Sequence, residues 1–90
     1  MSVARQFGAN LARARKASGL TQDEAGHRAS VHRTEVSQLE RGLRIPRIDT
    51  LVKLAAAVGV RPEALLKGIA WEPGTVRTGH FGQPDADATL

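Results

Sequence analysis

Residues 20–42 read Leu-Thr-Gln-Asp-Glu-Ala-Gly-His-Arg-Ala-Ser-Val-His-Arg-Thr-Glu-Val-Ser-Gln-Leu-Glu-Arg-Gly. Within this stretch Thr21 begins a helix pattern, because its hydroxyl can accept a hydrogen bond from a backbone N–H in the first turn of a helix. Glu24, three residues later, can bond back to the backbone N–H of Thr21, which completes a capping box. The sequence therefore predicts a short helix over residues 22–29.

A second helix pattern follows after a few residues. Val36 and Leu39 lie one turn apart on one face, and Gly42 stands where a left-handed helix end would fall, which predicts a helix over residues 33–41. The opposite face carries side chains that can hydrogen-bond to base edges and phosphates: Arg33, Thr34, Ser37, Gln38 and Arg41. This arrangement is the layout of a DNA-reading helix-turn-helix.

The order and spacing of these residues resemble the phage repressor and Cro-like (XRE) helix-turn-helix regulators. The resemblance covers about residues 7–67 and rests on Phe7-Gly8, Leu11, Arg15, Gly19-Leu20-Thr21-Gln22-Asp23-Glu24, Val36-Ser37-Gln38-Leu39-Glu40-Arg41-Gly42, Pro46, Thr50-Leu51, Leu54-Ala55, Val58-Gly59-Val60 and Leu65-Leu66. It implies an all-α, five-helix, phage-repressor-like DNA-binding domain. Double-stranded DNA is then the expected partner, bound by a homodimer.

Three residues depart from the family's usual pattern. Ala25 replaces Leu, Gly26 replaces Ala, and Ser30 in the turn replaces Gly. A glycine inside a helix costs roughly 0.5 to 1 kcal/mol, and a residue other than glycine is strained at positive φ. These changes predict a looser second helix within the same fold.

Composition restricts the chain to one small domain with a tail. The protein has 90 residues, 41% of them apolar, and no cysteine, which excludes disulfides, thiolate metal sites and cysteine nucleophiles. No apolar run approaches the roughly 20 residues that cross a bilayer, and the first residues lack the apolar stretch of a signal peptide. We therefore expect a cytoplasmic protein without a membrane partner.

The net charge of +4 is unevenly distributed along the chain. Residues 1–47 contain nine Lys or Arg and four Asp or Glu, a balance of +5, whereas residues 48–90 contain four and five, a balance of −1. The basic half includes the predicted helix-turn-helix. Such a surface attracts polyanions and favours nucleic acid as a partner.

Apolar spacing predicts three further helices. The first covers residues 3–17 with Phe7, Leu11 and Ala14 inward, and the fourth covers residues 48–58. Its apolar stripe consists of Ile48, Leu51, Leu54, Ala55 and Val58. Pro62 suits the first position of a fifth helix over residues 62–67, in which Leu65 and Leu66 point inward. The DNA-binding domain is thus expected at residues 1–68, with the helix-turn-helix at 21–42.

Residues 69–90 form the expected tail. Residues 75–81 include some β-formers, whereas 83–90 are small and polar and should be disordered. Trp71, Val76 and Phe81 are large apolar residues that usually pack on something. Two alternatives remain open for them: packing of the tail on the fifth helix, or a dimer contact.

The candidate site residues fall into two groups. Arg33, Thr34 and Gln38 have side chains suited to read bases in the major groove, and His32 either contacts DNA or caps the recognition helix. The expected phosphate contacts are Gln22, Ser37, Arg41, Arg44 and Arg47, of which Gln22 is implied by the resemblance. Glu35 would repel phosphate unless it accepts from a cytosine amino group, and it is expected to point sideways into solvent.

The resemblance also implies a structural ion pair between Arg15 and Glu40, which would tie the recognition helix to the first helix. No metal site is expected, since His27 and His32 are five residues apart across a turn and His80 lacks a ligand set. No catalytic residues or cofactors are expected either, because the serines lack a convincing base and no glycine-rich phosphate loop is present.

These observations predict a sequence-specific transcriptional regulator rather than an enzyme. We expect a repressor that binds a pseudo-palindromic operator as a homodimer. Three alternatives remain: an antitoxin whose tail binds a toxin partner, a controller protein of a restriction system, and a protein-interaction module that does not use DNA.

Overall fold

The computed structural model describes residues 2–74 and 79–82. Their elements are α1 (Val3–Ala17), α2 (Gln22–Ala29), α3 (Arg33–Glu40), α4 (Ile48–Ala57), a 3₁₀ helix (Pro62–Leu66), β1 (Ala70–Glu72) and β2 (His80–Gly82). The all-α class is confirmed, but the fifth helical segment is a 3₁₀ helix, as its five residues bond in the tighter i to i+3 pattern. Across the described residues, no helix is both long and apolar enough to span a membrane.

Capping side chains set the start of the first three helices. The Oγ of Ser2 accepts from the N–H of Arg5 at 3.2 Å. Thr21 and Glu24 form both bonds of the predicted capping box, at 3.0 and 2.8 Å. Hydrogen bonds to the Glu24 carboxylate from the backbone N–H of Thr21 and from its side chain lower the pKa of that carboxyl. The predicted bounds of α1 and α2 match the structure, and α3 and α4 each end one residue earlier than predicted.

The core lies where the helices meet, and it contains Phe7, Leu11, Ala25, Ala29, Val36, Leu39, Leu54, Ala55, Ala57, Val58 and Leu65. Two of the predicted inward residues are exceptions. Ile48 is 82% exposed and Leu66 is 43% exposed. Ile48 opens the first turn of α4, and Leu66 ends the 3₁₀ helix beside the buried Leu65. Apolar spacing therefore predicted the buried residues within these segments correctly, and it was wrong for the residue at one end of each.

Two of the departures in sequence, Gly26 and Ser30, lie beside or in the turn between α2 and α3. Ser30 has φ 55° and ψ 42°, the left-handed conformation that strains a side chain. Gly26 is buried, and its carbonyl accepts from the N–H of Val31 at 2.8 Å. A Cβ at residue 26 would lie 2.5 Å from the oxygen of Val31, so the turn could not close this tightly around it. Gly26 therefore permits close packing here, and the expectation of a looser α2 does not apply at this residue.

Helix α1 packs against α3 and against the 3₁₀ helix. A Cβ at Gly8 would collide with the carbonyl oxygens of Leu39 and Glu40, so glycine lets α1 approach the end of α3. The side-chain amide of the buried Asn10 donates to the carbonyls of Leu65 at 2.9 Å and Lys67 at 2.8 Å. The approach at Gly8 and the shared core fix the position of α3 on α1, and the bonds of Asn10 attach the end of the 3₁₀ helix to α1.

Strands β1 and β2 form an antiparallel hairpin in which Trp71 is opposite Phe81. The two rings meet edge to face, with centroids 5.1 Å apart and an interplanar angle of 73°. Both rings remain accessible, Trp71 to 54% and Phe81 to 43%. The aromatic residues therefore pack on each other. Val76 and the predicted disordered residues 83–90 lie outside the described part of the chain.

Candidate nucleic-acid interface

A shallow depression on the outer side of α3 brings most of the candidate side chains together. Its volume is about 300 Å³, and it is lined by Gln22, Arg33, Thr34, Ser37 and Arg41. All five were predicted to contact DNA from the sequence. Two of them are cations and none is a carboxylate, so the depression has the charge of an anion-binding surface.

Gln38 and Arg44 form a separate pair beside this depression. The Nη1 of Arg44, in the loop after α3, donates to the Oε1 of Gln38 at 3.1 Å. Arg47, further along this loop, does not join them. Its side chain is 83% exposed and pairs with Asp49 at 3.3 Å. The sequence placed Gln38 and Arg44 in different groups, and the structure couples them.

His32 caps the recognition helix. Its Nδ1 accepts from the backbone N–H of Thr34 at 3.0 Å. In a neutral imidazole the other nitrogen then carries the proton, so Nε2 is a free donor on an exposed side chain. Of the two roles considered for His32, the structure shows the capping one. Glu35 is half-buried and does not line the depression.

An ion pair anchors the inner side of α3 to α1. Arg15 donates from Nε to one oxygen of Glu40 at 2.6 Å and from Nη2 to the other at 3.0 Å. The two side chains are only 12% and 7% exposed. Arg15 also donates to the carbonyl of Leu20 at 2.8 Å. The hydrogen bond to Glu40 raises the pKa of Arg15 further, against the opposing effect of burial.

Gln22 connects this anchor to the outer depression. Its Nε2 donates to Oε1 of Glu40 at 2.9 Å, while the same side chain lines the depression. A primary amide has a second N–H and an acceptor oxygen, which remain for other partners. Sequence reasoning missed this bond because the two residues are 18 positions apart and no local pattern pairs them.

Comparison with known proteins agrees with this geometry. Residues 11–65 match the HTH_3 helix-turn-helix family. The chain belongs to this family. Membership confirms the resemblance to phage repressor and Cro-like regulators and the predicted class, a DNA-binding regulator of transcription and not an enzyme.

Two relatives are similar in sequence. An uncharacterized HTH-type transcriptional regulator, y4dJ of Sinorhizobium fredii, is 43% identical over 60 residues, which cover 67% of this chain and 78% of that protein. Control protein C.BamHI of Bacillus amyloliquefaciens is 37% identical over 49 residues, 54% of this chain and 60% of that protein.

Two solved structures are similar in fold. The restriction-modification controller protein C.AhdI from Aeromonas hydrophila superposes with a TM-score of 0.69 at 31% identity, over 72% of this chain and 98% of that one. The DNA-binding domain of the P22 c2 repressor gives a TM-score of 0.66 at 31% identity, over 69% and 82% of the two chains. Both cover the helical part of the chain to a similar extent.

Proposed function

We propose that the protein binds a pseudo-palindromic operator as a homodimer, with α3 in the major groove, and represses by occupying a promoter. The observation that carries this proposal is the depression lined by Gln22, Arg33, Thr34, Ser37 and Arg41, because it presents hydrogen-bonding and cationic groups from α2 and α3 on one face. A recognition helix with such a face can meet base edges and phosphates together. Residues 1–68 supply this DNA-binding unit, and residues 69–90 are accessory to it.

The proposed base readers are side chains on the outer face and at the start of α3. Arg33 can bond a guanine edge with two donors, and the methyl of Thr34 can contact thymine. Both are exposed in the first turn of α3, the part of a recognition helix that contacts base edges. Gln38 reads one turn further along, and the free Nε2 of His32 adds a donor at the start of the helix.

Phosphate contacts surround these readers. Ser37 and Arg41 line the depression on α3, while Arg44 and Arg47 extend the basic surface into the following loop. Gln22 lies at the first position of α2, where the free N–H groups of a helix start attract anions. Together these contacts neutralise several phosphates and would give a strong dependence on salt.

A second copy of the chain is proposed to bind an apolar surface formed by the loop between α3 and α4 and by the first residue of α4. Leu43, Ile45 and Ile48 are 63%, 64% and 82% exposed. They alternate with Arg44 and Arg47, so a partner covering them would sit next to the DNA-facing residues. Two copies joined there would place two recognition helices on one side of a duplex, as a pseudo-palindrome requires.

A controller protein of a restriction system is the second candidate function. The observation that favours it is the similarity to C.BamHI at 37% identity and to C.AhdI, 98% of which is covered by this chain. A regulator of this kind would activate as well as repress. The alternative of a toxin partner for residues 69–90 stays a prediction.

Selection of bound duplexes from random DNA tests the proposal. We expect a two-fold symmetric motif whose half-sites lie about one helical turn, roughly 34 Å, apart on one face of DNA. Affinity for the selected site should fall by orders of magnitude between about 50 and 200 mM salt. A reporter promoter carrying the site then separates repression from activation. Absence of any enriched motif, or affinity independent of salt, would contradict the proposal.

A further inference from the structure

The contact between Arg44 and Gln38 bears on which base the recognition helix prefers. Arg44 donates from Nη1 to Oε1 of Gln38 at 3.1 Å. Arg44 forms no ion pair among the described residues, so no carboxylate competes for its guanidinium, in contrast to Arg47, which pairs with Asp49. Among the described residues, the amide oxygen of Gln38 is therefore the only polar group that orients Arg44.

A glutamine reads adenine by using both ends of its amide. The oxygen accepts from the adenine amino group while the nitrogen donates to N7. Guanine presents two acceptors at the same edge, O6 and N7, and no donor. A glutamine oxygen that already accepts from a cation has one lone pair left, and the cation disfavours the approach of another N–H, so the oxygen accepts more weakly from the adenine amino group while the NH₂ donors remain.

We propose that Arg44 is a specificity-determining positioning residue that weakens Gln38 as an acceptor and leaves it to read the base mainly as a donor, so that guanine is preferred over adenine at the base facing Gln38. This inference rests on the proposed function, in which α3 lies in the major groove. The charge of Arg44 acts in the same direction, because a guanidinium beside Oε1 repels an incoming amino group and attracts the acceptors of guanine. Thymine, with one acceptor at O4, ranks between them.

Binding of four duplexes that differ only at this position tests the inference. The position is first identified as the one at which Gln38→Ala removes base discrimination. The wild-type protein should prefer guanine over adenine on the order of tenfold. In Arg44→Met the Oε1 no longer bonds to a cation and accepts more strongly from adenine, so the preference for guanine should be mostly lost. Arg44→Lys should retain part of it, since an ammonium group can also donate to Oε1.

Arg47→Met is the matched control, because it removes an equal charge from the same loop without touching Gln38. It should weaken all four duplexes equally and leave the ratio of guanine to adenine unchanged. In the Gln38→Ala background, Arg44→Met should no longer alter base preference, because Arg44 acts through Gln38. Thermal melts of all variants should be close to wild type, since these side chains are exposed or half-buried.

The failures of the two proposals are distinguishable. If no base discrimination exists at any position, the proposed function itself fails. If discrimination exists but wild type prefers adenine at the Gln38 position, or Arg44→Met weakens all bases as evenly as Arg47→Met, the inference about Arg44 is wrong. A change of preference that persists in the Gln38→Ala background would show that Arg44 reads the base directly, which also overturns it.

Discussion

The inner side of α3 is held by many contacts, whereas its outer side is held by few. On the inner side, Val36 and Leu39 are fully buried, and the carboxylate of Glu40 accepts hydrogen bonds from Arg15 and Gln22. Outward, Gln38 has one exposed partner, Arg44, and the exposed Arg33 forms no ion pair among the described residues. We therefore expect inward substitutions to change the free energy of unfolding and, under the proposed function, outward substitutions to change which DNA is bound.

This division has a physical origin. A buried ion pair must keep both partners, because a lone charge in the interior lacks the water that would solvate it. An exposed side chain is solvated with or without its partner, so it can be replaced at little cost to folding. The outer side of the helix can thus vary its base preference without endangering the fold that positions it.

The largest effect is expected from Arg15→Ala. The change leaves the Glu40 carboxylate, 7% exposed, without its bidentate partner, and should lower the free energy of unfolding by roughly 3 to 5 kcal/mol. Thermal and chemical denaturation measure this loss. Operator binding should fall in proportion to the unfolded fraction. Changing Arg15 and Glu40 together to apolar residues should recover part of the stability, since no buried charge is then stranded.

Arg61→Ala is the matched control for this prediction. Arg61 and Glu63 also form an arginine–carboxylate pair, at 2.8 Å, but their side chains are 85% and 67% exposed. Its loss should cost far less than the loss of the Arg15–Glu40 pair, because both side chains are already solvated. If Arg15→Ala and Arg61→Ala lowered the free energy of unfolding equally, the distinction between buried and exposed ion pairs would be wrong. A double mutant of Arg15 and Glu40 that loses the sum of the single losses would show that the two do not interact.

The second prediction concerns the outer side alone. Gln38→Ala should reduce discrimination at one base position by about 1 to 3 kcal/mol per half-site. The free energy of unfolding should change by no more than about 0.5 kcal/mol, because the side chain contributes nothing to the core. Competition binding with single-base operator variants measures the first quantity, and a thermal melt the second. A large stability loss here would mean that the outer side also carries the fold.

Local sequence patterns were sufficient to predict the four α-helices and, together with the family resemblance, the residues that line the depression. The capping box at Thr21 and Glu24 and the spacing of Val36 and Leu39 act over three residues, so a short window contains the whole signal. The depression then follows from geometry, since residues on the outer face of an eight-residue helix have few other directions to point.

Contacts between distant residues could not be predicted in this way. Asn10 bonds to Leu65, 55 positions away, and its only signal was an amide within the apolar face of α1. The bond between Gln22 and Glu40 and the pairing of Trp71 with Phe81 likewise depend on how the elements pack. The prediction that Ile48 points inward was wrong for a different reason. Its spacing fitted the apolar stripe of α4, but its position at the start of the helix leaves it exposed.

The third prediction concerns Gln22, which joins the two sides. Gln22→Ala removes a donor to Glu40, but Arg15 still satisfies both carboxylate oxygens, so the stability loss should be only about 1 kcal/mol. Binding should weaken for all sequences to a similar degree, since a lost phosphate contact carries no base preference. Parallel titrations of specific and nonspecific duplexes measure this. If Gln22→Ala and Gln38→Ala reduce discrimination equally, the division between phosphate contacts and base readers is wrong.

The smallest effect is expected in the turn that joins α2 to α3. Ser30 has φ 55°, where a side chain costs about 1 to 2 kcal/mol and glycine costs almost nothing. Ser30→Gly removes this strain but adds roughly 0.5 to 1 kcal/mol of backbone entropy to the unfolded chain. The net result should be a gain of roughly 0.5 to 1 kcal/mol, measured as a higher Tm. Base preference should not change, because Ser30 does not line the depression, whereas a destabilised Ser30→Gly would show that the side chain makes a contact that outweighs the strain.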